Sequence, residues 1–305
     1  MYTKPFRIGK LSHNVIHADY RINSGDKIGI LLTADHHFDN PYSVHKLLKR
    51  DHEEAVENDA MIVAFGDIFC AMQGKFDRRH SKGSIRDENM VDNYLGSLIK
   101  SGSKFYRKYA ENYIMMSPGN HETAVLKRSE YDLIEGLVTD INLRKGTNIQ
   151  TGPYKGWLLL RFYRAESNKK KSPETVIKVA YHHGHGGGGP VTKGVIQTNR
   201  RAIYMPDADV VVTGHIHEKW ILSLPRERID TGYNTYYDEQ YHVQVPTYKE
   251  EYGKSQGWHV ERGAPPKPLG GIMMEITKKY RSEKLFYHTN FLPTFDMKEF
   301  QFMTR

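Results

Sequence analysis

Residues 27–37 read KIGILLTADHH, a mostly apolar run from Lys27 to Ala34 that stops abruptly at Asp35-His36-His37. Apolar side chains at successive rather than alternate positions suit a strand covered on both faces. The same pattern returns four times. Ala60 to Phe65 (AMIVAF) leads into Gly66-Asp67, and Tyr113 to Met116 (YIMM) leads to Gly119-Asn120-His121-Glu122. Val176 to Tyr181 (VIKVAY) leads into His182-His183-Gly184-His185, and Ala208 to Thr213 (ADVVVT) into Gly214-His215-Ile216-His217. In α/β sheets ligands collect beyond the carboxyl ends of the strands. Five adjacent strand ends are therefore expected to deliver carboxylate, amide and imidazole groups to one point.

The ordered set Asp-x-His, Gly-Asp, Gly-Asn-His-Glu, His and Gly-His-x-His resembles the calcineurin-like metallophosphoesterases over about Ile28 to His217, with a closing strand near Gly270 to Ile276. The resemblance implies an α/β fold, a two-sheet β-sandwich flanked by helices. Position by position, it implies that Asp35, His37 and His217 hold one metal ion. Asn120, His215 and a histidine of the fourth cluster hold a second, and Asp67 bridges the two. For the fourth cluster, the His-Gly-His arrangement of related enzymes selects His183, with His182 as the alternative. His121 then faces the substrate as the catalytic residue.

The residue types support that chemistry on their own terms. A mixed oxygen and nitrogen donor set without thiolates suits Mn²⁺, Fe or Zn²⁺ and argues against a structural zinc site. Two divalent ions, with Mn²⁺ the first choice, can clamp a phosphoryl group and acidify a water. An imidazole at His121 titrates near neutral pH and can protonate a leaving oxygen. If the first cluster is extended, residues i and i+2 point the same way, which pairs Asp35 with His37 and leaves His36 on the outer wall. Many relatives carry Asp where Cys70 stands, a departure that leaves Asp67 intact, and since free Cys is commonly buried Cys70 is read as a small buried apolar residue.

At 305 residues and 38% apolar content, with no run long enough for a membrane span, the chain is expected to be one domain over residues 1–305, with its core at about 27–280 and an extension at each end. Met1 to Asp26 lacks a signal-peptide segment and is either a leading strand or a packed extension. The single Cys excludes an internal disulfide and favours a reducing, cytoplasmic location. Helices are expected over Tyr42 to Asn58, Asp92 to Glu111 and Tyr131 to Leu143, and strand-like runs multiply from Trp157 onward.

Substrate class rests on charge. The net charge of +8 from 44 Lys+Arg against 36 Asp+Glu favours a polyanion such as DNA or RNA as the phosphoester substrate. Candidate contacts are Arg78 and Arg79 within the basic stretch Lys75 to Arg86, His185, and Arg200, with Thr192 and Lys193 on the same rim. Gly-Asp-Ile-Phe-Cys is similar to the Gly-Asp-Leu-Phe-Asp of exonuclease subunits in DNA repair complexes, which implies a phosphodiesterase acting on nucleic acid. A small-molecule phosphatase or cyclic-nucleotide phosphodiesterase is the second reading, and a binding protein on the same fold is the third. The protein phosphatase pattern Gly-Asp-x-Val-Asp-Arg-Gly is not present. No membrane association is expected, and the sequence assigns no protein partner.

Overall fold

The segment whose form the sequence leaves open makes an antiparallel pair, β1 (Arg7–Ser12) and β2 (Val15–Ile22). The computed structural model describes residues 1–72, 81–165, 172–187, 189, 191–253, 258–261, 263–281 and 284–296. After the first pair come β3 (Lys27–Thr33), α1 (His45–Glu57), β4 (Met61–Phe65), α2 (Tyr94–Tyr106), β5 (Tyr113–Ser117), α3 (Asn120–Ser129) and α4 (Leu133–Lys145). They are followed by β6 (Gln150–Thr151), β7 (Lys155–Arg164), β8 (Thr175–His182), α5 (Ile196–Tyr204) and β9 (Val210–Thr213). The last elements are β10 (Trp220–Ile229), β11 (Thr235–Gln244), the single turn α6 (Trp258–Glu261), β12 (Ile272–Arg281) and β13 (Lys284–Pro293). No helix among the described residues is long and apolar enough to cross a membrane.

The strands form two sheets, one ordered β1-β2-β7-β8-β9-β11-β10 and the other β13-β12-β3-β4-β5-β6. Burial explains the unbroken apolar runs. Ile30, Leu32, Val63, Phe65 and Met115 pack into the space between the sheets against Leu158, Phe162, Val179 and Val212 of the facing sheet. Their neighbours Leu31, Ile62, Ala64 and Met116 point the other way, under Leu47, Leu98, Leu137 and Ile141 of the helices. Each of these side chains larger than alanine stabilises the fold by about 1.5–3 kcal/mol on full burial. This is the two-sheet α/β architecture that the resemblance implies. One expectation is corrected: the five motif-bearing strands are not all adjacent. β3, β4 and β5 are parallel neighbours in one sheet, and β8 and β9 are parallel neighbours in the other. Their ends meet across the sandwich because its core draws both sheets together.

A second correction concerns His36, which is fully buried rather than on an outer wall. Its Nδ1 lies 2.9 Å from the Tyr106 hydroxyl, and its ring packs edge-on against Tyr248 and His52. His52 is also fully buried. With its Nδ1–H donated to the Leu48 carbonyl at 2.7 Å, its Nε2 accepts from the Tyr113 hydroxyl. Burial depresses the His52 imidazole to about 4. The unfolded chain therefore takes up this proton near the ordinary value of about 6.5, before the folded one does. Stability from His52 is fully present above that value and declines by about 1.4 kcal/mol per pH unit as pH falls towards 4. Urea titrations across that window should show a shallower decline for His52→Gln; an equal slope would remove His52 as a contributor.

Candidate metal centre

The strand ends deliver their side chains through unusual backbone. Asp35, His37, Asp67, His215 and His217 have φ of 53°, 45°, 50°, 74° and 53°, the left-handed region that is uncommon outside Gly, although Asn, Asp and His enter it more often than other side chains. Hydrogen bonds hold them there. The N–H of Asp35 donates to Gly66 O, that of His37 to Asp67 O (both 3.0 Å), and that of His215 to Asp35 Oδ2 at 2.7 Å. Thr247 Oγ1 and the Tyr248 N–H both donate to Asp35 O, so the chain after β11 returns to brace the first motif. At Gly66, with φ +91°, a Cβ would lie 2.5 Å from His183 Nδ1 and 2.7 Å from the Gly119 Cα. Close approach of these loops thus requires glycine.

Two donor groups result. In the first, His37 Nε2 and His217 Nε2 face each other at 3.3 Å, with Asp35 Oδ1 at 3.4 Å from the latter. Among the described residues that oxygen and the Nδ1 atoms of His37 and His217 have no hydrogen-bond partner. Burial, then the neighbouring His121, holds the His37 imidazole well below its ordinary value, so it is neutral. In the second group, His183 Nε2 lies 3.2 Å from Asp67 Oδ2 and 3.3 Å from Asn120 Oδ1, and His215 Nδ1 lies 2.7 Å from the same amide oxygen. His183 Nδ1–H donates to Phe65 O at 2.8 Å, which aims the Nε2 lone pair of the neutral ring at two oxygen acceptors. Positive charge on the ring resolves that meeting. Burial opposes it, yet the Asp67 charge and hydrogen bond raise the His183 imidazole to about 10. Buried imidazole, carboxylate and amide donors converging in this way, some of them without hydrogen-bond partners among the described residues, fit divalent metal ions. Burial pushes the Cys70 thiol up to about 12, so although it lies near His37 and His121 it is a poor thiolate donor.

Around these groups sit residues to which the sequence alone gave no role. The buried Glu122 carboxylate accepts the N–H groups of Gly119 (2.8 Å), Asp67 (3.2 Å) and Phe69 (2.8 Å), tying the second motif to the third. Burial, then the Asp67 charge, pushes it up to about 8. Its place in the first turn of α3, with Gly119 before it, was a legible signal. Asp39 does the same for the backbone of Cys70 and Ala71 and accepts from the Tyr94 hydroxyl. Beyond β11, Glu251 pairs with both Lys249 and His259, whose ring lies 5.5 Å from that of His217. Burial alone would raise the Glu251 carboxyl, but His259 and Lys249 hold it below the ordinary range. No local pattern marks these three.

His121 stands between the groups. Its Nδ1–H donates to Cys70 O, its Nε2 is 3.7 Å from Asp67 Oδ2, and its ring is 5.1 Å from that of His37. Asp67 Oδ1 accepts the His121 N–H at 3.0 Å. His182 instead turns its Nδ1 to accept the Gly184 N–H, and the exposed His185 ring lies 5.8 Å from it. Arg200 is exposed on α5, whereas its neighbour Arg201 is buried. Arg78 and Arg79 lie outside the described residues. Arg86, at the end of the same basic stretch, is half-buried and donates to Asn40 O and Ser43 O, a structural role. Tyr248 is a core residue, while Tyr233 and Tyr237 are exposed.

Residues 28–219 match a family profile described as calcineurin-like phosphoesterase. No curated protein sequence matches the chain. Among solved structures, Vacuolar Protein Sorting 29 from Cryptosporidium parvum is 14% identical, with 88% of this chain and 99% of that chain covered at a TM-score of 0.33. A predicted phosphoesterase from Streptococcus pneumoniae is 9% identical, with 87% and 98% covered at 0.30. GAP50 of Plasmodium, described as the anchor in its inner membrane complex, is 10% identical, with 89% and 90% covered at 0.40.

Proposed function

Because the chain belongs to the calcineurin-like phosphoesterase family, matched over residues 28–219, we propose that it is a metal-dependent phosphoester hydrolase with a dinuclear centre, acting as a phosphodiesterase on DNA or RNA. The observation that carries this reading is the convergence of buried imidazole, carboxylate and amide donors, among which Asp35 Oδ1 has no hydrogen-bond partner among the described residues. Asp35, His37 and His217 would hold one ion, and Asn120, His183 and His215 the other, with Asp67 shared. When bound, two divalent ions, Mn²⁺ first among the candidates, polarise a phosphoryl oxygen and lower the pKa of a water.

The chain's own residues do the rest. Asp35 and Asp67 supply the negative charge that localises cations in a buried site. His121, fixed through Nδ1 by Cys70 O, turns its Nε2 towards Asp67, where it hydrogen-bonds the phosphoryl group or protonates the leaving oxygen. His259, held by Glu251 next to His217, forms part of the wall on that side. The net charge of +8 supports a polyanionic substrate.

The test is hydrolysis of bis-p-nitrophenyl phosphate beside p-nitrophenyl phosphate with added Mn²⁺, using Asp67→Asn as control. Diester preference is expected. Monoester preference would transfer the assignment to a small-molecule phosphatase, and inactivity on both, with metal bound, would leave a binding protein. His121→Ala should keep the metal content of the wild type and lower turnover by about 10²-fold. Unchanged turnover would strip His121 of its role.

A further inference from the structure

A cleft of about 730 Å³ lies on the outer side of the loop that carries the first motif, away from the metal-binding donors. Phe38, the residue after His37, supports its floor, with the His45 ring stacked on it at 4.3 Å and the Phe105 ring 5.1 Å away. His45 Nε2–H donates to Phe38 O at 2.7 Å, which fixes the ring in plane. Burial, then the nearby Arg86, depresses the imidazole to about 4, so at neutral pH His45 presents an uncharged aromatic face. Lys100, Lys104 and Lys108 line the same cleft and are exposed. The first two are one turn apart on α2, a rise of about 6 Å along the axis. Among the described residues none of the three lysines has an acidic partner, and Glu88 is the one acid on the lining.

We propose that this cleft binds single-stranded nucleic acid, with bases against Phe105 and His45 and phosphates along the three lysines. A row of unpaired cations beside a platform of neutral rings matches a ligand that carries both regular negative charge and flat apolar faces. A duplex buries its base faces, and an acidic peptide makes no use of the rings. The inference rests on the nucleic-acid reading of the metal centre and deepens it: a strand held here lies across one loop from His37, so the cleft supplies affinity for substrate away from the reacting phosphate.

Fluorescence anisotropy of a labelled oligothymidine tests this, with protein stripped in EDTA so that cleavage is silent. The triple variant Lys100→Glu/Lys104→Glu/Lys108→Glu should bind at least about tenfold more weakly. Its slope of log affinity on log salt should be shallower by about 2, since each phosphate that a lysine neutralises on a single strand adds about 0.7. Lys127→Glu/Lys145→Glu/Lys178→Glu, equal in charge change but elsewhere, should weaken binding much less. Phe105→Leu should cost about fivefold or more with the salt slope unchanged. No binding by the wild type, equal weakening in both triple variants, or stronger binding of duplex than of single strand would overturn the proposal. Wild-type hydrolysis of the small diester is scored separately. Activity without oligonucleotide binding sinks the cleft alone, and oligonucleotide binding without activity sinks the hydrolase alone.

Discussion

Replacing Asp67 by asparagine is expected to remove metal from the protein and lower diester turnover by about 10³-fold or more, the upper end of what one preorganised electrostatic contact contributes. The substitution preserves the local shape. Asparagine has the same size and keeps an oxygen to accept the His121 N–H, now received by Asp67 Oδ1 at 3.0 Å. It loses the negative charge 3.2 Å from His183 Nε2, and an amide N–H₂ in the Oδ2 position would be a donor where a cation must sit. Metal content measured after dialysis against Mn²⁺ should fall, and circular dichroism in EDTA at the assay temperature should still show a folded protein. Full metal occupancy with wild-type turnover would place the shared ligand elsewhere.

The largest effect on stability is expected at Glu122. Its carboxylate takes three buried backbone N–H groups, those of Gly119, Asp67 and Phe69, and alanine would leave all three without an acceptor. At about 1–3 kcal/mol for each of the three stranded donors, Glu122→Ala should cost roughly 3–9 kcal/mol, a large share of the net stability of about 5–15 kcal/mol typical of a folded domain. Glu122→Gln should fall between the two, because one oxygen still serves the donors at Oε2 while the amide meets the Phe69 N–H. Urea unfolding in EDTA reads this directly, free of any metal effect. A Glu122→Ala protein within about 0.5 kcal/mol of the wild type would mean that these donors find other partners.

Much of this was legible before the structure. Strands buried on both faces write themselves as contiguous apolar runs, so β3, β4, β5, β8 and β9 stood out, and the polar clusters marked where each ended. Their division between two sheets did not, since a strand's neighbours are chosen by packing distant in sequence. His36 was misplaced because the spacing argument assumed extended backbone, whereas Asp35 and His37 flank it in left-handed conformation. α5 was missed because its apolar residues Ile196 and Ile203 are exposed and outline no buried stripe. Lys249, Glu251 and His259 were invisible because they reach the centre only after the chain beyond β11 turns back to Asp35 through Thr247 and Tyr248.

The left-handed backbone at Asp35, His37, Asp67, His215 and His217 has an evolutionary consequence. Each such residue carries about 1–2 kcal/mol of steric penalty that glycine would not, so for foldedness alone these five positions hold the wrong amino acids. A population of variants sorted only for resistance to a protease, blind to chemistry, should drift to glycine or asparagine there before it erodes the core. Lineages that keep Asp and His at all five are therefore recording a selection that stability does not exert.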